Sequence, residues 1–148
     1  MTVEAPANPG IQSKLFINGE FVDARSGETF SSTNPATEEA IADVASAGAD
    51  DVDAAVAAAR AQMEPGSDWQ KMKPRDRARI LWKLADLLMS NAVEIGRIET
   101  IDNGKPIFES QYVDVPAAAE CLYYFAGWSG KVTGETIPVQ EGAFTYTL

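Results

Sequence analysis

Near Asp50 the hydrophobic period of this sequence switches from short alternating runs to helical spacing. A chain that makes this switch once places a β-rich piece ahead of a helical one. On the β side, Leu15 to Val22 reads LFINGEFV, with Asn18-Gly19 between two short apolar runs. That pair is a strong hairpin signal, because both central positions of a type I′ turn need positive φ. A second turn is expected at Ser26-Gly27, a third strand over Thr29 to Thr33, a turn at Asn34-Pro35-Ala36-Thr37 and a strand over Ile41 to Ala45. Residues 14–47 are thus read as a β arm.

On the helical side, Asp50 is expected to cap a helix, with Asp51 and Asp53 in the first turn, where the dipole favours negative charge. Val52, Val56, Ala59 and Met63 follow on one face, and Pro65-Gly66 ends the segment. A longer helix is expected from Pro74, with Ile80, Leu84, Leu87 and Leu88 as its apolar stripe. Ser90-Asn91 caps the next helix, and Gly104 and Pro106 stop it. A further helical stretch is expected over 107–131, with Pro116 in a first turn or at a kink and Asp114 as its cap. Three or four helices therefore occupy 48–132. The final stretch, 133–148, is read as a connection and a strand over Ala143 to Leu148. Ending within a strand signal suggests a cut chain.

Composition narrows function more than fold. There is no histidine and one cysteine, Cys121, among 148 residues. His-dependent triads, Cys–His dyads, disulfides within the chain and thiolate zinc clusters are excluded. The net charge of −10 disfavours nucleic acid as a partner, since that affinity comes from Lys and Arg on phosphates. No apolar run is long enough to suggest a membrane span. The leader, 1–13, has neither a basic n-region nor an apolar h-region, so it is not read as a secretory signal. The expected compartment is the cytoplasm.

Candidate chemistry is sparse. Cys121 lies among apolar and aromatic residues with Glu120 beside it, which opposes a thiolate, and it is read as a buried structural cysteine. Gly127 to Thr133 resembles a phosphate loop at a glance, but the glycine spacing is wrong and Val132 follows Lys131. No GxGxxG occurs. Lys71, Lys73, Arg75, Arg77 and Arg79 form either a solvated helix face or salt bridges to another part of a larger protein. Tyr123, Tyr124, Phe125 and Trp128 point several ways around one helix, which implies cover on more than one side.

Several strings say more. Leu15-Phe16-Ile17-Asn18-Gly19-Glu20-Phe21 followed by Asn34-Pro35-Ala36-Thr37-Glu38-Glu39 resembles the opening of aldehyde dehydrogenases. So do the run from Asp51 to Arg60, the run from Glu99 to Pro106, Tyr123-Tyr124-Phe125-Ala126-Gly127-Trp128, and Gly134-Glu135-Thr136-Ile137-Pro138. They occur in the family's order, and together they cover Lys14 to Leu148.

The resemblance implies the N-terminal part of an α/β aldehyde dehydrogenase fold and, for the full-length enzyme, NAD- or NADP-linked oxidation of an aldehyde to a carboxylic acid. That reaction needs a cysteine nucleophile, a glutamate base, an oxyanion donor and a cofactor cleft. In the family these lie C-terminal to the matching segment, so no catalytic or cofactor-binding residue is assigned here, Cys121 included. This chain alone is expected to be inactive and to bind no cofactor tightly. Two lesser features carry over. Thr33 and Asp114 match positions that hold a structural Na⁺ or K⁺, with a plain helix cap as the alternative for Asp114. Val113 and Ala117 match positions bordering the substrate tunnel. The partners implied are the remainder of the dehydrogenase chain and, at full length, a homodimer or homotetramer. The competing reading is a standalone truncated paralogue that binds a dehydrogenase subunit.

Overall fold

The computed structural model describes residues 11–147; most of the expected leader, and Leu148 of the expected terminal strand, lie outside the described residues. Strands β1 (Leu15–Ile17) and β2 (Glu20–Val22) form an antiparallel hairpin with Phe16 opposite Phe21. Asn18 and Gly19 take φ of 54° and 85°, the two positive values a type I′ turn demands. Strands β3 (Thr29–Thr33) and β4 (Ala40–Ala45) make a second ribbon, bulged between Ser32 and Thr33. Its turn closes on Asn34, whose Oδ1 accepts the Ala36 N–H at 2.9 Å and whose carbonyl accepts the Glu38 N–H at 2.8 Å. An asparagine side chain is suited to this because it imitates a backbone turn.

Helix α1 (Ala49–Ala61) is capped by Gly48, not by Asp50. The acidic residue that organises its start is Asp51, a buried carboxylate that accepts the Gly48 N–H at 2.9 Å and the Arg25 N–H at 3.2 Å. Two backbone donors offset its desolvation, and they fasten the helix to the segment after β2. A single-turn helix, α2 (Asp68–Lys71), was not expected; the Ser67 hydroxyl caps it by accepting the Gln70 N–H at 3.2 Å. Arg77 donates to the carbonyl of Met72 at 3.0 Å, so this member of the basic cluster is a half-buried clasp, not a solvated side chain.

Helices α3 (Pro74–Ser90), α4 (Ala92–Asn103), α5 (Ile107–Glu109) and α6 (Val115–Trp128) complete the helical part, with a π-helical segment over Ser110–Asp114 between α5 and α6. Asn91 sits at the start of α4, but its amide donates to the Leu87 carbonyl at 2.8 Å and so closes α3 instead of opening α4. The chain then runs through a hairpin of β5 (Thr136–Ile137) and β6 (Thr145–Tyr146). The expected terminal strand is there, shortened. Its partner β5 is too short to show any alternation.

The core lies where α3 packs on α6. Ala85 of α3 and Val115, Ala119 and Ala126 of α6 are buried, and these mostly small side chains let the two helices approach closely. The face of α3 that turns inward carries Ala78, Leu81, Ala85 and Leu88. The expected stripe is thus only partly inside: Ile80, Leu84 and Leu87 are 45%, 45% and 50% exposed. Val52, Val56 and Met63 of the α1 stretch are exposed as well. An apolar stripe marks a face to be covered without saying what covers it.

Candidate functional site

A connected set of polar contacts lies along the seam between α4 and the π-helical segment. Pro116 has no N–H and its ring would collide with the carbonyl four residues earlier in a regular helix. One turn before it, the chain widens: the Val115 N–H bonds the Ser110 carbonyl, five residues back. Asp114 is therefore inside a helical turn, with φ −72° and ψ −48° and no capping bond, which corrects the expectation that it caps the next helix. Its carboxylate faces Lys105 instead. Lys105 Nζ donates to Asp114 Oδ2 at 2.5 Å and to Glu99 Oε1 at 2.6 Å. Hydrogen bonds to these two carboxylates, Asp114 first, raise the Lys105 pKa well above that of a free lysine, so it stays charged throughout the neutral range.

Two further contacts run along the same seam. The Thr100 hydroxyl donates to Ser110 Oγ at 2.9 Å, and Ser110 is fully buried. Gly96 faces Gln111 so tightly that a Cβ there would lie 2.9 Å from the Gln111 Cα. At the far end of α4, Gly104 takes the expected left-handed conformation, φ 81°, and a Cβ on it would lie 2.7 Å from Pro35 Cγ. That contact, together with the Ser32 hydroxyl donating to Asp102 Oδ1 at 2.8 Å, docks the β3–β4 ribbon on the end of α4.

Val113 lies in the π-helical segment and is 51% exposed; Ala117, one turn on, is exposed too. With Cys121, Tyr124 and Trp128 they make an outward stripe on the side of α6 opposite Val115, Ala119, Leu122 and Ala126. Cys121 is consequently exposed, which corrects its reading as a buried cysteine. The residue's apolar neighbours in sequence are divided between two faces, and only one of these packs on α3. Tyr124 rings meet Phe125 and Trp128 at 5.2 and 6.2 Å. Tyr123 turns toward α3, its ring centroid 4.7 Å from that of Trp82 at a tilt of 50° and its hydroxyl donating to Asp86 Oδ1 at 2.6 Å.

The structure brings Ser32, the neighbour of Thr33, to Asp102, whereas Asp114 is held by Lys105. Among the described residues there is no cluster of three or more His, Cys, Asp or Glu side chains placed to hold a metal ion. Gly127 to Lys131 lies at the C-terminal end of α6, where the helix dipole is negative and would repel a phosphate.

Residues 21–148 match the sequence profile of the family described as the aldehyde dehydrogenase family. This chain belongs to the aldehyde dehydrogenase family. It is 47% identical to an aldehyde dehydrogenase of Alternaria alternata over 132 residues, 89% of this chain and 26% of the relative. It is 44% identical to the mitochondrial aldehyde dehydrogenase of Rattus norvegicus over 135 residues, 91% of this chain and 26% of the relative. Its fold is similar to an NAD⁺ complex structure of aldehyde dehydrogenase from Bacillus cereus, with a TM-score of 0.87 and 41% identity. That similarity covers 99% of this chain and 30% of the Bacillus cereus chain.

The chain thus spans about a quarter of the length of the aldehyde dehydrogenases it matches, and it corresponds to their N-terminal portion. Its α/β architecture is that of the same portion. No described helix is long and apolar enough to cross a membrane. The seam built by Lys105 was not foreseen from sequence, because Glu99, Lys105 and Asp114 follow no helical or strand period. Lys105 and Glu99 lie within one of the strings shared with aldehyde dehydrogenases, and that was the available signal.

Proposed function

We propose that this chain serves as the N-terminal portion of an enzyme that oxidises aldehydes to carboxylic acids with NAD or NADP. The nucleophile, base and cofactor cleft are supplied by polypeptide other than these residues. The observation that carries this reading is the family match over residues 21–148, combined with coverage of only about a quarter of each relative. The role of this portion is structural and steric. The outward faces of α1, α3 and α6 pack against the remainder of the dehydrogenase, and Val113 and Ala117 border the path of the substrate. A small Ala117 leaves room on that path for a bulky aldehyde.

Two further assignments belong to the same proposal. A structural Na⁺ or K⁺ sits at the end of α4 near Thr33, where main-chain carbonyls and the negative end of the helix dipole favour a hard cation. Asp102, bonded to the neighbouring Ser32, is better placed to serve it than Asp114, whose charge Lys105 already neutralises. The β5–β6 hairpin carries unpaired edges, and it extends a sheet shared between subunits in a homodimer or homotetramer. The compartment proposed is the cytoplasm; subcellular fractionation tests it.

Aldehyde-dependent NAD(P)H formation, measured beside an intact mass, tests the central reading. Activity is expected only in material much larger than 15.9 kDa. Turnover by the 15.9 kDa chain itself would overturn it. An inactive chain of that mass which captures a dehydrogenase subunit would favour the standalone binding module.

A further inference from the structure

We propose that Lys105 is a positioning residue for substrate selection: by tying Glu99 of α4 to Asp114, it fixes the rotation of the π-helical turn that presents Val113 and Ala117. The proposal rests on the reading that Val113 and Ala117 border the substrate path.

A π-helical turn is wider and more weakly bonded than an α-helical one, so its side-chain directions are poorly fixed by its own backbone. Here two contacts with α4, and a third with Lys105 just beyond its end, supply what the backbone lacks. Ser110 is held by Thr100 at 2.9 Å, Gln111 is pressed on Gly96, and Asp114 is drawn to Lys105. The first two lie at the start of the turn, on its buried side. The Lys105 bridge is the one at its C-terminal end, directly beside Val113 and one residue before α6 resumes.

Charge makes this last contact decisive. Asp114 and Glu99 carry like charges that would repel each other across the seam, and the ammonium between them converts that repulsion into a three-centre bridge. Without it, Asp114 has every reason to rotate toward water. In a helical turn, a rotation of Asp114 carries the neighbouring Val113 with it and shifts the start of α6, Ala117 included. The effect on an aldehyde therefore scales with how far its chain reaches along this wall.

The experiment uses the full-length enzyme that carries this chain and compares kcat/KM for a bulky and a small aldehyde. Lys105→Met is expected to change the bulky-to-small ratio by about three- to tenfold, mainly through the KM of the bulky aldehyde. Lys105→Arg, which can still bridge two carboxylates, is expected to restore most of it. Ala117→Trp serves as the reference, because it narrows the path directly. A ratio unmoved by Lys105→Met but moved by Ala117→Trp overturns the positioning role and leaves the substrate path in place. A ratio unmoved by either overturns both. If Lys105→Met gives no folded enzyme, Asp114→Asn reads the same ratio, since it keeps the side chain's size and removes the charge that Lys105 binds.

Discussion

Tyr123 shows how one residue can join two helices and set a limit on the pH range of the joint. Its sequence neighbours Tyr124 and Phe125 are exposed, yet its own ring turns inward to Trp82 and its hydroxyl donates to Asp86 at 2.6 Å. Donating to a carboxylate favours the protonated phenol, so the Tyr123 pKa is raised above the ordinary value of 10.0, with burial and the Asp86 charge adding in the same direction. The linkage sign follows. The folded state holds this proton more tightly than the unfolded chain, so the contribution is fully present below the unfolded value and is lost as pH rises from there through the folded value. Lys105 loses stability in the same direction, because its pKa is also raised in the fold. The two are separable by substitution. Thermal melting of Tyr123→Phe against the parent is expected to show a constant deficit at neutral pH that shrinks above about pH 10. A deficit that grew with alkaline pH would contradict the assigned bond.

At the scale of elements, the α3–α6 pairing depends on small residues at the crossing. Ala85 and Ala119 are fully buried, and there is no space to accept a larger side chain. Ala85→Leu is expected to destabilise the protein by about 1–3 kcal/mol, read as a lower denaturation midpoint with an unchanged slope. The same helix explains what could and could not be read from the sequence. The positions of α3 and its start at Pro74 were legible, because local spacing alone sets the helical period. The hairpin at Asn18-Gly19 and the stop at Gly104 were legible for a similar reason: each depends on a backbone conformation that few residues tolerate. Which face of α3 packs was not legible. Ala85, the residue at the crossing, carries almost no hydrophobic signal, while the leucines that dominate the pattern at 84 and 87 turn outward. The π-helical segment and the Lys105 bridge escaped for a related reason. Both arise between α4 and α6, and no local period reports a contact made across a loop.

For the molecule as a whole, the accessible surface argues that the chain is one side of a larger core. Its 15.9 kDa expose 11,293 Å², where a compact monomer of that mass exposes about 7,300 Å². The exposed apolar side chains include Val52 and Val56 of α1, Ile80, Leu84 and Leu87 of α3, and Tyr124, Phe125 and Trp128 of α6. Aromatics were expected to be covered on several sides of α6, and in this chain one side is covered by α3. The uncovered stripe carries Cys121, which makes the second cover measurable with one thiol. Alkylation of Cys121 by a small thiol reagent is expected to be fast in the 148-residue chain. In the full-length dehydrogenase it should be at least about tenfold slower, because packed side chains exclude the reagent except during local opening. So that labelling at any other cysteine does not enter, the rate is followed at the peptide containing Cys121, with a Cys121→Ser control. Equal rates in the two forms would mean that the outward face of α6 stays open in the enzyme, and the surface excess would then have to be covered by a partner subunit or by another copy of the chain.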